Sequence, residues 1–183
     1  KQDSSLEHLS HSFSKKIIWL AAAVLFLLSL ENTLGFSFPL KSAPSSVNIE
    51  LTRTFYALGL IIAGLINDRN RRWGAICSLA ALAFPFAALA LGSNAVGETA
   101  MWMAAYLFLG FWSAYRILVF SDISAKRGLH GLAAGGLLVG RLGEAIGTLG
   151  ASFLAGALLI VASAVVFILV IALFFSLYQK IYS

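Results

Sequence analysis

The chain has 183 residues, of which 60% are hydrophobic and only 11% charged, with a net charge of +5 and a mean hydropathy of +0.88. This balance excludes an ordinary soluble domain, in which roughly a quarter of residues are charged. The lone Cys77 excludes a disulfide framework and a cysteine-rich metal site.

Residues 1–14 (KQDSSLEHLSHSFS) are polar and lack an apolar core, so they are not a signal peptide. They read as a cytoplasmic linker arriving from something upstream. Lys1 in place of a Met fits a processed product or a domain of a longer chain, and a further module beyond Ser183 is equally open. Residues 15–183 read as one membrane domain. A spanning helix needs about 20 apolar residues, at a rise of about 1.5 Å each across a core roughly 30 Å thick. Six stretches qualify: 17–38, 51–67, 75–92, 100–120, 132–152 and 158–178. The last two run almost together and divide near Ser152–Gly156, since one helix of that length overshoots a bilayer. The runs are continuous and long, unlike the short alternating segments of a membrane barrel. The expected architecture is therefore an all-α, polytopic membrane protein of six transmembrane helices.

The first stretch carries Glu31 in the run SLENT, about 21 Å from the cytoplasmic edge by helical rise. The second opens on the Glu50/Arg53 pair. The third (AICSLAALAFPFAALALG) holds no charge; Pro85 predicts a kink, and Cys77 a small core residue. The fourth carries Arg116 in AYRILVFSD, positioned either to snorkel to the headgroups or to pair with Asp68 or Asp122. The sixth (IVASAVVFILVIALFFSLY) is again uncharged, so the third and sixth helices can face lipid on most sides. Charges at membrane depth are costly and normally face a partner or a watery cavity. Here they belong to the first, second, fourth and fifth helices, which are expected to enclose a polar chamber. The order polar, polar, apolar occurs twice, as in a fold of two three-helix repeats.

The fifth stretch is the densest in information. Gly136, Gly140, Gly143, Gly147 and Gly150 recur at steps of four, three, four and three, giving a face almost without side chains. Such faces let helix backbones approach closely in membranes. Beside them runs a polar stripe of Arg141, Glu144, Thr148 and Ser152. Arg141 and Glu144 are close enough on one helix to pair. They lie about 14 and 18 Å from the cytoplasmic edge. They form either a self-neutralising structural pair or part of a chamber, shared with Glu31, that meets a solute or ion. For Glu31 the other reading is capping by Asn32 and Thr33 near the outer interface. Desolvation also permits a protonated Glu31.

Positive charge is distributed by side. Lys1, Lys15, Lys16, Arg69, Arg71, Arg72, Lys126, Arg127 and Lys180 fall on one side, against Lys41 in the opposite loops and Arg53 at that edge. The positive-inside rule then puts both ends in the cytoplasm. The same distribution argues against nucleic-acid binding by this segment. Enzyme readings fail on inventory: His8, His11 and His130 form no HExxH, and neither a GxSxG nor a Walker loop occurs. No cofactor or metal is implied.

Two stretches carry a family resemblance. Gly64-Leu-Ile-Asn-Asp68-Arg69-Asn70-Arg71-Arg72 resembles the cytoplasmic loop motif of major facilitator superfamily transporters: a Gly, an Asp-Arg four and five residues on, then a Gly and two basic residues. The second Gly is missing and Arg71-Arg72 come early. Gly64 is expected to permit close packing and Asp68 to accept bonds from a neighbouring helix N-terminus. By resemblance, Asp68 and Arg69 belong to a conformational latch, with Arg71 and Arg72 holding the loop at the headgroups. The passage from Arg127-Gly-Leu-His-Gly-Leu-Ala-Ala-Gly-Gly to Gly150 is similar to the same family's entry into a Gly-rich fifth helix. It lacks the proline of many antiporters, and Arg116 lacks the following Gly of the family's fourth-helix pattern. The resemblance covers the whole chain in topology and about 30 residues in motif. It implies one six-helix half of a transporter in a bacterial cytoplasmic membrane, working with a second six-helix half to move a small solute. The stretches RTFYALGLIIAGLINDRNRRWGA and GLLVGRLGEAIGT are also similar to the facilitator-like membrane regions of LuxR-type transcriptional regulators, in which the chamber would bind a signal molecule.

Overall fold

A computed structural model describes residues 2–42, 47–91, 95–127 and 130–182 of the protein. These form six α-helices: α1 (Gln2–Ser42), α2 (Ile49–Arg69), α3 (Arg71–Leu91), α4 (Ala95–Arg127), α5 (Gly135–Phe153) and α6 (Gly156–Tyr182). A single 3-10 turn, His130–Leu132, precedes α5, and the described residues include no strand. The backbone is helical from Gln2 onward, so the 14/15 boundary is not a break in secondary structure.

Three of the helix boundaries have a clear local cause. Asn48 caps α2 by accepting from the Leu51 N–H at 3.0 Å. Asn70 alone separates α2 from α3: its extended backbone donates to Ile66 O, while its side-chain oxygen accepts from the Arg72 N–H at 3.0 Å. One asparagine thus closes one helix and opens the next. The α5–α6 junction is one residue longer, Leu154 and Ala155. Leu154 turns extended, and Gly156 takes φ +54°, a left-handed backbone that a side chain disfavours.

Four helices contain spans long and apolar enough to cross a membrane: Lys15–Ser37, Ile49–Arg69, Gly97–Ala125 and Gly156–Tyr182. This is the make-up of an integral membrane protein. Neither of the other two reaches that apolarity among the described residues. Helix α3 opens on Arg71-Arg72, and α5 carries Arg141, Glu144 and six glycines in 19 residues.

The centre of the bundle is α1 with α4, whose spans are 44% and 50% buried, against 17% for α2 and 22% for α6. Helix α1 packs on α5, α6 and α3, whereas α4 packs on α2 and α3. The main core gathers Ile17, Leu25 and Leu28 of α1 with Tyr115 and Val119 of α4 and Phe174 and Leu177 of α6. A second cluster at the far end joins Val47, Phe84, Trp102 and Ala105. One expectation needs correction here. Helix α2, expected to wall a polar interior, is the least buried of the four spans. Helix α6 keeps most of its surface exposed, as expected of an uncharged helix, and buries one stripe from Leu159 through Ser163, Val170 and Phe174 to Tyr182 in the core.

Candidate functional site: a two-arginine, one-glutamate cluster

The glycine face of α5 lies on α1. A Cβ at Gly147 would stand 2.8 Å from Leu30 O, and one at Gly143 would strike the Phe26 carbonyl and stand 2.9 Å from Ser29 Cβ. Gly136 likewise rests against the Arg116 carbonyl of α4, and Gly140 against the Arg116 side chain. Gly150 is looser, with only Leu34 at ordinary contact distance. Glycine at 136 and 140 therefore opens the space that α4 fills with Arg116.

Arg116 is 6% exposed. Its Nη1 donates to Glu144 Oε1 in a salt bridge between α4 and α5, and its guanidinium lies over the Trp112 ring, 4.5 Å from the centroid. Arg141, one helical turn from Glu144, donates to the other carboxylate oxygen at 2.7 Å. Glu144 is thus bridged by two guanidiniums, one buried and one exposed, with side-chain exposures of 7% and 67%. Two charges of +1 and one of −1 leave the cluster at +1. Thr148 and Ser152 turn back on their own helix, donating to Glu144 O and Leu149 O.

Arg116 therefore neither snorkels nor pairs with Asp68 or Asp122. Nothing in its own helix marks Glu144 as its partner; only the register of α4 against α5 brings them together.

Glu31 does not join this cluster. It is fully buried on another side of α1, where Ser163 Oγ of α6 donates to its Oε1 at 2.6 Å and a Cβ at Gly35 would stand 2.7 Å from Pro85 Cγ. Among the described residues Ser163 is its polar partner, and its Oε2 has none. The expected chamber uniting Glu31 with Arg141 and Glu144 is therefore two separate polar positions. Capping by Asn32 and Thr33 is likewise replaced, since Thr33 Oγ1 donates to Ser29 O. The uncharged sixth helix supplies Ser163, the polar partner of Glu31 among the described residues. A serine in an apolar run is a weak sign in sequence.

The loop motif is built differently from expectation. Gly64 is exposed, and among the described residues no atom is near enough to touch an added Cβ, so it packs closely on none of them. Asp68 and Arg69 are exposed, and among the described residues Asp68 has no hydrogen-bond or ion-pair partner. The buried member is Asn67, which donates to Ala63 O at 2.7 Å and lies directly over Gly74 of α3. Arg71 reaches Asp122 of α4 at 3.7 Å, and Tyr182 at the end of α6 donates to the same carboxylate at 3.4 Å. That three-helix junction at one end of the bundle takes the place expected of Asp68. Arg72 is exposed.

At the other end, Arg53 and Glu50 form an exposed pair at 2.8 Å, and Tyr106 of α4 accepts from Arg53 Nε at 3.4 Å. The side chains of His8, His11, Lys126, Arg127 and His130 lie outside the described residues. No group of three metal-ligating side chains occurs among those that are described.

Comparison with protein-family models, with curated proteins and with solved structures finds no match.

Proposed function

We propose that this chain is a six-helix membrane unit of the major facilitator type, one half of a secondary transporter that moves a small solute by rocking against a second half. The observation that carries this reading is the Arg116–Glu144–Arg141 cluster, a charged bridge between two helices within apolar sequence. A helix pair kept together only for packing has no need of three ionised groups, because apolar side chains of similar volume hold as well or better. Charges in that position mark a solute or ion pathway.

In the same reading all six helices span, with α3 and α5 admitted by their neighbours, and divide into two three-helix repeats. The basic residues Lys15, Lys16, Arg69, Arg71, Arg72 and Lys180 put both ends of the bundle in the cytoplasm, in a bacterial inner membrane. Arg71, Asp122 and Tyr182 take the part of the cytoplasmic latch.

The test is exchange of labelled small anions, cations and neutral solutes in liposomes holding the complete chain together with any second half. Flux that Arg116→Gln abolishes is the expected result. No flux across the panel counts against transport. Saturable binding without flux favours the second reading, a signal-sensing membrane module of a LuxR-type regulator.

A further inference from the structure

We infer that the Arg116–Glu144–Arg141 cluster is a binding site for a small monocarboxylate, which enters by taking over guanidinium bonds that Glu144 now accepts. The inference names a ligand class for the cluster on which the transport reading rests, yet binding is measurable without flux. Three observations support it.

The first is charge. Two guanidiniums share one carboxylate, so a single further negative charge brings the cluster to neutrality. In a low-dielectric setting that unbalanced charge is a strong attraction for an anion.

The second is unused hydrogen-bonding capacity. Arg116 Nε is buried and unpartnered. So is Ser29 Oγ of α1, on a residue with no exposure at all. Both side chains pack on Gly140, where an added Cβ would strike Arg116 Cδ and stand 3.2 Å from Ser29 Oγ. Buried donors without partners are costly, and a ligand with acceptor oxygens recovers that cost. The Nε–H side of a guanidinium is one arm of the fork that accepts a carboxylate bidentately.

The third is the order of the cluster. Arg141 is two-thirds exposed and is its outer member, and Glu144 links it directly to the buried Arg116. An anion held at Arg141 competes with Glu144, and as Glu144 yields, Arg116 becomes available. The internal carboxylate is a tethered stand-in for the ligand.

The experiment is equilibrium dialysis of labelled acetate and labelled benzoate against the complete chain in nanodiscs, with glucose as a neutral control and inorganic phosphate as competitor. Glu144→Gln removes the internal competitor and is expected to bind benzoate about tenfold more tightly than the parent, whereas Arg116→Lys, which keeps charge but loses the fork, binds about tenfold more weakly. Should Arg116→Lys fail to fold, Arg141→Gln in the Glu144→Gln background gives the same expected loss. Absence of saturable binding in Glu144→Gln overturns the proposal, as does affinity unchanged by the arginine substitutions. Phosphate competing as well as acetate overturns the carboxylate assignment. Because binding and flux are separate readouts, carboxylate binding without exchange leaves this site standing and removes only the transport reading.

Discussion

Glu31 and Arg116 are both ionisable side chains removed from water, but their surroundings give them opposite requirements. Glu31 meets a hydroxyl and no cation among the described residues, so a neutral side chain satisfies it as well as a charged one. Glu31→Gln keeps an acceptor for Ser163 and is expected to change stability by less than about 1 kcal/mol, while Ser163→Ala strands that acceptor and costs about 1–3 kcal/mol. Denaturation of the purified protein in detergent micelles measures both. A loss above about 3 kcal/mol for Glu31→Gln instead marks a missed cationic partner. Arg116 is different, since its removal leaves Glu144 with only the exposed Arg141. Arg116→Ala is expected to cost about 3–5 kcal/mol, and Arg141→Ala under about 1 kcal/mol. Equal losses in the same melts contradict the assignment of Arg116 as the buried partner. The sequence made all of these charges conspicuous, because an Arg or Glu in an apolar run is visible by eye. It did not reveal who meets whom. Partners across helices depend on axial register and rotation, and each helix records only its own.

Helix pairing in this protein rests on glycine contacts of two kinds. On α5 the glycines repeat with helical period, so the face was readable before any coordinates, and it docks on α1 and α4. The α2–α4 contact is as close but left no pattern. Gly59 and Gly110 pack backbone to backbone as single glycines in different helices, a Cβ at Gly110 falling within 2.7 Å of the Gly59 Cα. Gly143→Leu is expected to drive α5 off α1 at a cost of about 1–3 kcal/mol or more, the range for overpacking. Gly64→Ala has open space around it and is expected to be neutral or to stabilise by about 0.5–1 kcal/mol through helix propensity. Thermal melts of the two variants separate these outcomes, and a destabilised Gly64→Ala would show that an unseen partner covers that position. Gly64 is also where the motif misled: matching the spacing of a known loop pattern assigned it close packing, while Asn67 and Gly74 make the contact.

For the whole molecule, the all-helical architecture and the six helix positions followed from apolar run length, which is the strongest signal such a chain carries. The split between α5 and α6 fell where Gly156 interrupts the run. Burial was less legible: α6 has the most apolar span yet packs a stripe on Glu31 and the core, and α2, though it carries the Glu50/Arg53 pair, packs mainly along α4 and is the least buried span. Hydropathy measures preference for oil over water and does not distinguish lipid from protein interior. Sidedness is testable at this scale. In a Cys77→Ser background, cysteines at Lys16 and Lys180 are expected to react with an impermeant thiol reagent from the same face of sealed vesicles, and one at Glu50 from the other. Labelling of Lys16 and Lys180 from opposite faces would break the antiparallel order. The polarity of α5 also bears on biogenesis. An arginine at a helix centre disfavours partition from the translocation channel by about 2.5–3.5 kcal/mol, the Glu144 carboxylate adds to that cost, and the glycines add no offsetting attraction to lipid. On the six-span reading, such a segment is retained by the insertion machinery until the earlier-made first and fourth helices give its ions and its bare backbone a destination, with the greasy helix two residues downstream pulling it in. Folding and insertion then become a single event for this part of the chain, and a lesion in Arg116 would surface as a shortage of correctly threaded protein before any defect in activity is seen.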